Sequence, residues 1–257
     1  LRGLAPLPRL LTEGAIIAVG QGGDPQWLDF HQLVEKGEAG FIPPVAVSQS
    51  DLASIQYTSG TTGFPKGCMQ PHLYWLTVGR CASIIRSPKP DVAPLKNILI
   101  FYSFNYMMAD VEFMLTLYSE GTAFISRRPS LKKLVGWIKK YKIHYCAMNP
   151  MVYRGLPANQ DDHECELQFI AAYYHKGKAH AELERRFNAT GRDGLGMTEV
   201  GSGTFTPVGA THMADKGTCG LASPFREALI CDEHGNELPP GETGELCLTG
   251  AGLFLGY

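Results

Sequence analysis

The sequence lacks three features that would assign it to whole classes of protein. Its seven cysteines are odd in number and include no C-x-x-C pair, which argues against a disulfide framework or a structural zinc site. No apolar run reaches the roughly 20 residues that are needed to span a bilayer. The formal net charge of -2 leaves no basic excess of the kind that nucleic-acid-binding domains carry. These absences predict a cytoplasmic protein with no transmembrane segment and no nucleic-acid partner.

The composition is that of a globular enzyme-sized chain. Hydrophobic residues make up 44% of the 257 residues, and charged residues make up 19%. This length can bury a sizeable core in one or two domains. The chain opens on Leu1 rather than Met, which predicts that the true N-terminus lies upstream.

Strand-like and helix-like segments alternate from about residue 50 to 190. Short apolar runs predict strands at residues 52–57, 97–101, 143–148 and 167–173, of which the last three are expected to be buried. Ser130 is a candidate N-cap for a helix whose apolar residues follow helical spacing from Leu131 to Ile138, and a second helix is predicted at 179–187. Strands separated by helices predict an α/β fold with a mostly parallel sheet flanked by helices.

The pattern changes after about residue 203. Residues 228–231 and 245–249 are predicted to be short strands, and a tight turn is predicted at 232–236. We therefore expect two domains, an α/β nucleotide- and substrate-binding subdomain over 1–202 and a smaller β-rich subdomain over 203–257.

The segment 57–67 reads Y-T-S-G-T-T-G-F-P-K-G. Its glycines let backbone N–H groups turn toward an anion, its hydroxyls add donors, and Lys66 supplies compensating charge, so the composition predicts a polyphosphate cradle. The common P-loop would place Ser or Thr after the lysine, and Gly67 stands there instead. A polar surface loop is the alternative, but the probability that the nine fixed positions match by chance is on the order of 10⁻¹¹ per start site.

This loop resembles the phosphate loop of the adenylate-forming superfamily, which includes acyl-CoA synthetases, peptide-synthetase adenylation domains and firefly-type luciferases. Residues 194–199, G-L-G-M-T-E, are similar to the family's Y-G-x-T-E segment. Residues 236–257 are similar to its G-E-L…G-Y region, and 216–224 to its G-S-V-G-x-P stretch. The resemblance covers roughly residues 45 to 257 and implies part of the large N-terminal domain of such an enzyme.

The resemblance implies a role for each matching residue. The loop residues that would hold the β- and γ-phosphates of ATP are Thr58, Ser59, Gly60, Thr61, Thr62, Gly63 and Lys66. Thr198 would contact the α-phosphate and Glu199 would ligate Mg²⁺, which makes these two and Lys66 the implied catalytic residues. Gly177, Leu195 and Gly196 would line the nucleotide. Leu195 departs from the aromatic residue usual in the family, and His175-Lys176-Gly177 departs from its G-G-A segment.

Asn105, Tyr106 and Gly196 are implied to contact the carboxylic acid. Some family members that activate aryl acids have an Asn-Tyr pair at this point, which favours an aromatic or polar acid. Helical spacing alone equally allows Tyr106, Met107 and Met108 to be core residues of a helix.

The implied reaction joins a small carboxylic acid to CoA by way of an acyl-adenylate, with ATP and Mg²⁺ as cofactors. Two alternatives stay open: an adenylation domain that loads a carrier protein, and a catalytically silent ATP-binding module. Family members are about twice as long. The acidic residue that binds ribose and the small domain with the catalytic lysine are therefore expected to lie outside this chain, which alone would be an incomplete enzyme.

Overall fold

A computed structural model describes residues 17–18, 28–37, 45–58, 63–86, 94–213 and 216–257. The chain divides into two compact units, Leu1–Val47 and Ser48–Tyr257. In the first, the parallel strands β1 (Ile17–Ala18) and β2 (Leu28–Asp29) precede helix α1 (Phe30–Glu35). The Asp29 side chain caps α1 by accepting a hydrogen bond from the Gln32 amide at 2.9 Å.

The second unit begins with an antiparallel pair of strands and a helix: β3 (Leu52–Thr58), β4 (Lys66–Pro71) and α2 (His72–Ile85). Alternating strands and helices follow: β5 (Asn97–Ile100), α3 (Met107–Tyr118), β6 (Thr122–Ile125), α4 (Leu131–Lys140), β7 (Tyr145–Ala147), α5 (Pro150–Arg154), β8 (Phe169–Ala171), α6 (Lys178–Phe187) and β9 (Thr190–Arg192). The last elements are all strands: β10 (Gly194–Met197), β11 (Gly201–Phe205), β12 (Leu221–Ala222), β13 (Arg226–Cys231) and β14 (Glu245–Gly250).

The centre of this unit is a five-stranded, fully parallel sheet with the order β6-β5-β7-β8-β9. The chain moves from β5 to β6 on one side and then returns to β7 on the other. Strand order therefore reverses between β5 and β7, the place where open α/β sheets form ligand crevices at the carboxyl ends of their strands. The predicted α/β class and parallel sheet are confirmed.

Helices cover both faces of the sheet, which explains why its strands are apolar on both sides. One core cluster packs α4 and α6 on the sheet through residues such as Leu134, Ile138 and Leu183. The other packs α2 and α3 on the opposite face through Tyr74 and Leu115.

The strands and helices that were predicted differ from the structure mainly at their ends. The strands β7 and β8 are shorter than the apolar runs at 143–148 and 167–173, because flanking residues leave the sheet ladder and stay buried beside it. Ser130 holds the N-cap position of α4, but its side chain makes no capping hydrogen bond. The antiparallel strands that follow the central sheet begin with β10 and β11, before residue 203. The domain division at 202/203 stays a prediction.

Glu112 in α3 provides a stability test within the fold. The carboxyl group is fully buried, and burial raises its pKa from the usual 4.5 to about 8. Between these values the folded state holds a proton that the unfolded state releases, so stability should fall as pH rises from about 4.5 to about 8. Glu112→Gln should remove part of this fall. Denaturant unfolding at about pH 5 and about pH 9 measures this change in the free energy of unfolding. Glu242→Gln is the control, because Glu242 is exposed. Equal pH dependence in the two variants would contradict the raised pKa of Glu112.

Candidate active site

A cavity of about 490 Å³ lies at the carboxyl ends of the parallel strands. Four strands of the sheet contribute a residue just after their ends: Tyr102 follows β5, Asn149 follows β7, Tyr173 follows β8 and Asp193 follows β9. This position follows from the topology, because strand ends at a switch point diverge and leave a crevice between the loops. The cavity size is within the range of small-molecule sites.

The remaining walls come from α3 and from the β10–β11 hairpin. Tyr106, Met107 and Met108 line one side at the start of α3, while Leu195 and Gly196 of β10 line the other. Most of the lining is aromatic or aliphatic, which suits a small ligand with an apolar body. The helix that starts at Met107 therefore supplies cavity wall as well as core, so the two interpretations of this segment are compatible.

Thr198 and Glu199 form the turn between β10 and β11, beside the cavity. The Thr198 carbonyl accepts hydrogen bonds from the Gln70 amide at 3.1 Å and from the Tyr74 hydroxyl at 3.0 Å. Arg226 donates to the carbonyl of Val200, at the end of the turn, at 2.6 Å. Three buried side chains from different elements therefore fix the turn, and a turn held in this way keeps its side chains in place for a ligand.

The end of the chain brings two predicted residues together. The Tyr257 hydroxyl donates to Glu199 Oε1 at 2.7 Å, and Lys66 Nζ lies 4.8 Å from the centroid of the Tyr257 ring. The contact depends on an isolated antiparallel bridge between Met69 and Gly256. The bond to Glu199 raises the pKa of Tyr257 to about 12, so its hydroxyl keeps the proton that it donates.

Cys68 lies in the same region. Burial, followed by the nearby Glu199 carboxylate, raises the pKa of its thiol to about 11. The thiol therefore stays neutral and adds no second negative charge next to Glu199.

The structure describes only part of the predicted phosphate loop. Thr58 and Lys66 pair across β3 and β4, so they form the base of the loop. Gly63 adopts a φ of 144°, a conformation that favours glycine. Four loop residues lie outside the described part of the chain: Ser59, Gly60, Thr61 and Thr62.

Two other predicted residues lie away from the cavity lining. Asn105 is exposed in the turn before α3, and its neighbour Tyr106 lines the cavity instead. Gly177 holds the N-cap position of α6 with a φ of 53°, whereas Tyr173 and Tyr174 reach the cavity from the same segment. The functional roles of all these site residues stay predictions.

Sequence reasoning missed the contacts of Tyr257 and the presence of Arg86 in the cavity wall. Tyr257 belongs to the G-Y pair of the segment 236–257 that resembles the family, so this motif was the signal that could have predicted its role. Arg86 ends helix α2, and no local pattern distinguishes it from any other helix-terminal arginine.

The residues of this site fit a magnesium ion that is bound mainly by substrate phosphates. Mg²⁺ in nucleotide sites is held by one or two carboxylates, phosphate oxygens and water. Glu199 supplies one carboxylate, and in the described ranges no group of three or more His, Cys, Asp or Glu residues could form an all-protein metal cage.

No helix in the described part of the chain is long and apolar enough to cross a membrane.

Comparison with known proteins gives one consistent result. The family model described as "AMP-binding enzyme" matches residues 7–257. The 4-coumarate–CoA ligase-like 9 of Arabidopsis thaliana is 28% identical over 242 residues, which are 89% of this chain and 42% of the relative. A long-chain-fatty-acid–CoA ligase of Salmonella typhimurium is 27% identical over 248 residues, which are 91% of this chain and 42% of the relative. The chain thus spans less than half the length of these curated relatives.

Solved structures show the same fold. The luciferase-like enzyme from the nonluminescent Zophobas morio mealworm superposes with a TM-score of 0.78 at 21% identity, over 93% of this chain and 57% of that one. The anthranilate CoA ligase AuaEII, in complex with anthranoyl-AMP, superposes with a TM-score of 0.77 at 18% identity, over 95% of this chain and 47% of that one.

Proposed function

Because this chain belongs to the AMP-binding enzyme family, we propose that it is the N-terminal part of a ligase that activates a carboxylic acid with ATP and transfers the acyl group to CoA. The observation that carries the proposal is the position of the Thr198–Glu199 turn. On one side of it lies a largely apolar cavity, and on the other lie Lys66 and Tyr257. A site of this kind suits an acid in the cavity and a polyphosphate beside the lysine.

The proposed first step is attack of the substrate carboxylate oxygen on the α-phosphorus of ATP. An oxygen–phosphorus bond forms, the bond to the β-phosphate bridging oxygen breaks, and acyl-AMP and pyrophosphate result. The protein contributes mainly position and charge. The Thr198 hydroxyl would donate a hydrogen bond to the α-phosphate, and Lys66 would offset negative charge on the leaving pyrophosphate.

Glu199 would hold Mg²⁺, which when bound supplies further neutralisation of phosphate charge. Tyr257 keeps one oxygen of Glu199 in a hydrogen bond and so would set the direction of the other. In the second step the thiol sulfur of CoA would attack the acyl carbon and release AMP.

The CoA ligases among the relatives support CoA as the acceptor. The test gives the full-length protein ATP, Mg²⁺ and a panel of fatty and aromatic acids, and follows pyrophosphate release with and without CoA. Turnover that depends on CoA is expected. Pyrophosphate exchange that is indifferent to CoA would favour loading of a carrier protein, and ATP binding without any turnover would favour a silent module; either result would refute CoA ligation.

Tyr257→Phe should weaken the site without dismantling it. The variant keeps the ring beside Lys66 but loses the hydroxyl that holds Glu199. Losing one hydrogen bond to a charged group should lower kcat/KM for ATP about tenfold. The variant should also need a higher Mg²⁺ concentration for half-maximal rate. Steady-state kinetics at several Mg²⁺ concentrations measures both. Tyr141→Phe, at a partly exposed ring that stacks on Phe124, is the matched control; equal behaviour of the two variants would contradict this role.

A further inference from the structure

Arg86 is a buried cation in the wall of the cavity. It ends helix α2 and is only 3% exposed. Its Nη2 donates to the Tyr173 hydroxyl at 2.9 Å, and its guanidinium lies 5.5 Å from the centroid of the Tyr145 ring. Its Nη1 makes no hydrogen bond to any described residue. A guanidinium stays protonated in proteins, so this donor and its charge need a partner.

No acidic side chain of the described residues pairs directly with this charge. Within the part of the chain that the structure describes, Arg86 forms no ion pair within 4.0 Å. The acid that acts on it electrostatically is Glu112, whose two carboxyl oxygens make no hydrogen bonds in the same described region. Burial favours the neutral form of that carboxyl group by raising its pKa to about 8. An isolated buried charge is strongly unfavourable, and a carboxylate matches the planar fork of arginine best.

Arg86 lines the same cavity as the residues that flank the Thr198–Glu199 turn. Gly196 of β10 and Gly201 of β11 line the cavity on the two sides of the turn, and the Arg86 guanidinium bonds to Tyr173, which lines it after the end of β8. The turn and the guanidinium therefore adjoin one cavity, so one acid molecule could contact both.

We propose that Arg86 selects a dicarboxylic acid, with one carboxylate activated at the turn and the second bound by the Arg86 guanidinium. The inference rests on the proposed function and adds the substrate class to it. Tyr102, Tyr106, Met107 and Met108 would enclose the apolar middle of the molecule. A monocarboxylic acid of equal length would leave the buried guanidinium without an anion and should be the poorer substrate.

The test uses the full-length protein and pairs of acids that are matched in length, adipate with hexanoate and terephthalate with para-methylbenzoate. The wild type should prefer the dicarboxylic member of at least one pair. Arg86→Met should lower kcat/KM for that acid about 100-fold, through KM, because it removes a buried charge pair. The KM for ATP and the rate with the monocarboxylic partner should change little, and Arg86→Lys should give an intermediate loss.

Arg80→Met is the matched control, since Arg80 is an exposed arginine on the same helix. Calorimetric titration of each acid into both proteins provides a second measurement that does not depend on turnover, and melting temperatures check folding. Preference of the wild type for the monocarboxylic acids, or an equal loss for both members of each pair in Arg86→Met, would overturn the inference while leaving the proposed ligase intact. No binding and no turnover with any acid would overturn both.

Discussion

Replacing Lys66 with alanine is expected to lower kcat/KM for ATP by about 100-fold, because one preorganised charge beside the reacting phosphates contributes on this scale. Lys66 stands at the base of the phosphate loop, opposite Thr58, and its ammonium group lies over the Tyr257 ring. Without it, the negative charge that develops on pyrophosphate would have no adjacent lysine. The KM for the carboxylic acid should change far less, since the cavity walls are untouched.

The experiment measures pyrophosphate release at varied ATP concentration in the full-length protein. Lys132→Ala is the control, because Lys132 is an exposed lysine on α4, away from the site. Circular dichroism spectra should match among the three proteins. If Lys66→Ala turns over at the wild-type rate, the assignment of the 57–67 loop as a phosphate site is wrong.

Replacing Glu199 with glutamine is expected to have an effect at least as large. Glutamine keeps the shape of the side chain and an oxygen that can accept from Tyr257, but it loses the charge that Mg²⁺ requires. Adenylation should fall by about 100-fold to 1,000-fold, and the Mg²⁺ concentration for half-maximal rate should rise. Glu199→Asp should retain part of the activity, because it keeps the carboxylate at a shorter reach.

The measurement is carboxylate-dependent exchange between pyrophosphate and ATP over a range of Mg²⁺ concentrations. Glu233→Gln is the control, since its side chain is 86% exposed in the turn between β13 and β14. An unchanged Mg²⁺ requirement in Glu199→Gln would exclude Glu199 as the metal ligand. A loss of folding would show in the melting temperature and separate stability from catalysis.

Three strands of the central sheet, β5, β7 and β8, could be predicted because they carry strong local signals. The last three residues of β5, I-L-I at 98–100, are apolar and buried, as expected for a strand covered on both faces. The apolar residues of α4 follow helical spacing, and the lysines occupy its other face. The family could be predicted because the matching motifs are separate and occur in the family's order, and the match of the family model over residues 7–257 confirms it.

The hairpin of β10 and β11 could not be predicted in the same way. Its strands read G-L-G-M and G-S-G-T-F, which have no apolar alternation, and they form because buried side chains such as Tyr74 bond to the turn between them. The meeting of Lys66, Glu199 and Tyr257 depends on a bridge between Met69 and Gly256, far apart in the chain. Likewise, only tertiary packing places the end of α2, and with it Arg86, in the cavity wall.

The most direct test of adenylation follows an oxygen atom. The full-length protein is given ATP, Mg²⁺, CoA and a carboxylic acid labelled with ¹⁸O in its carboxylate, and the AMP is analysed by mass spectrometry. If the carboxylate attacks the α-phosphorus, the released AMP carries one labelled oxygen. If the label appears in inorganic phosphate and ADP is the product, the acid is activated at the γ-phosphate, and the account given for this site is wrong.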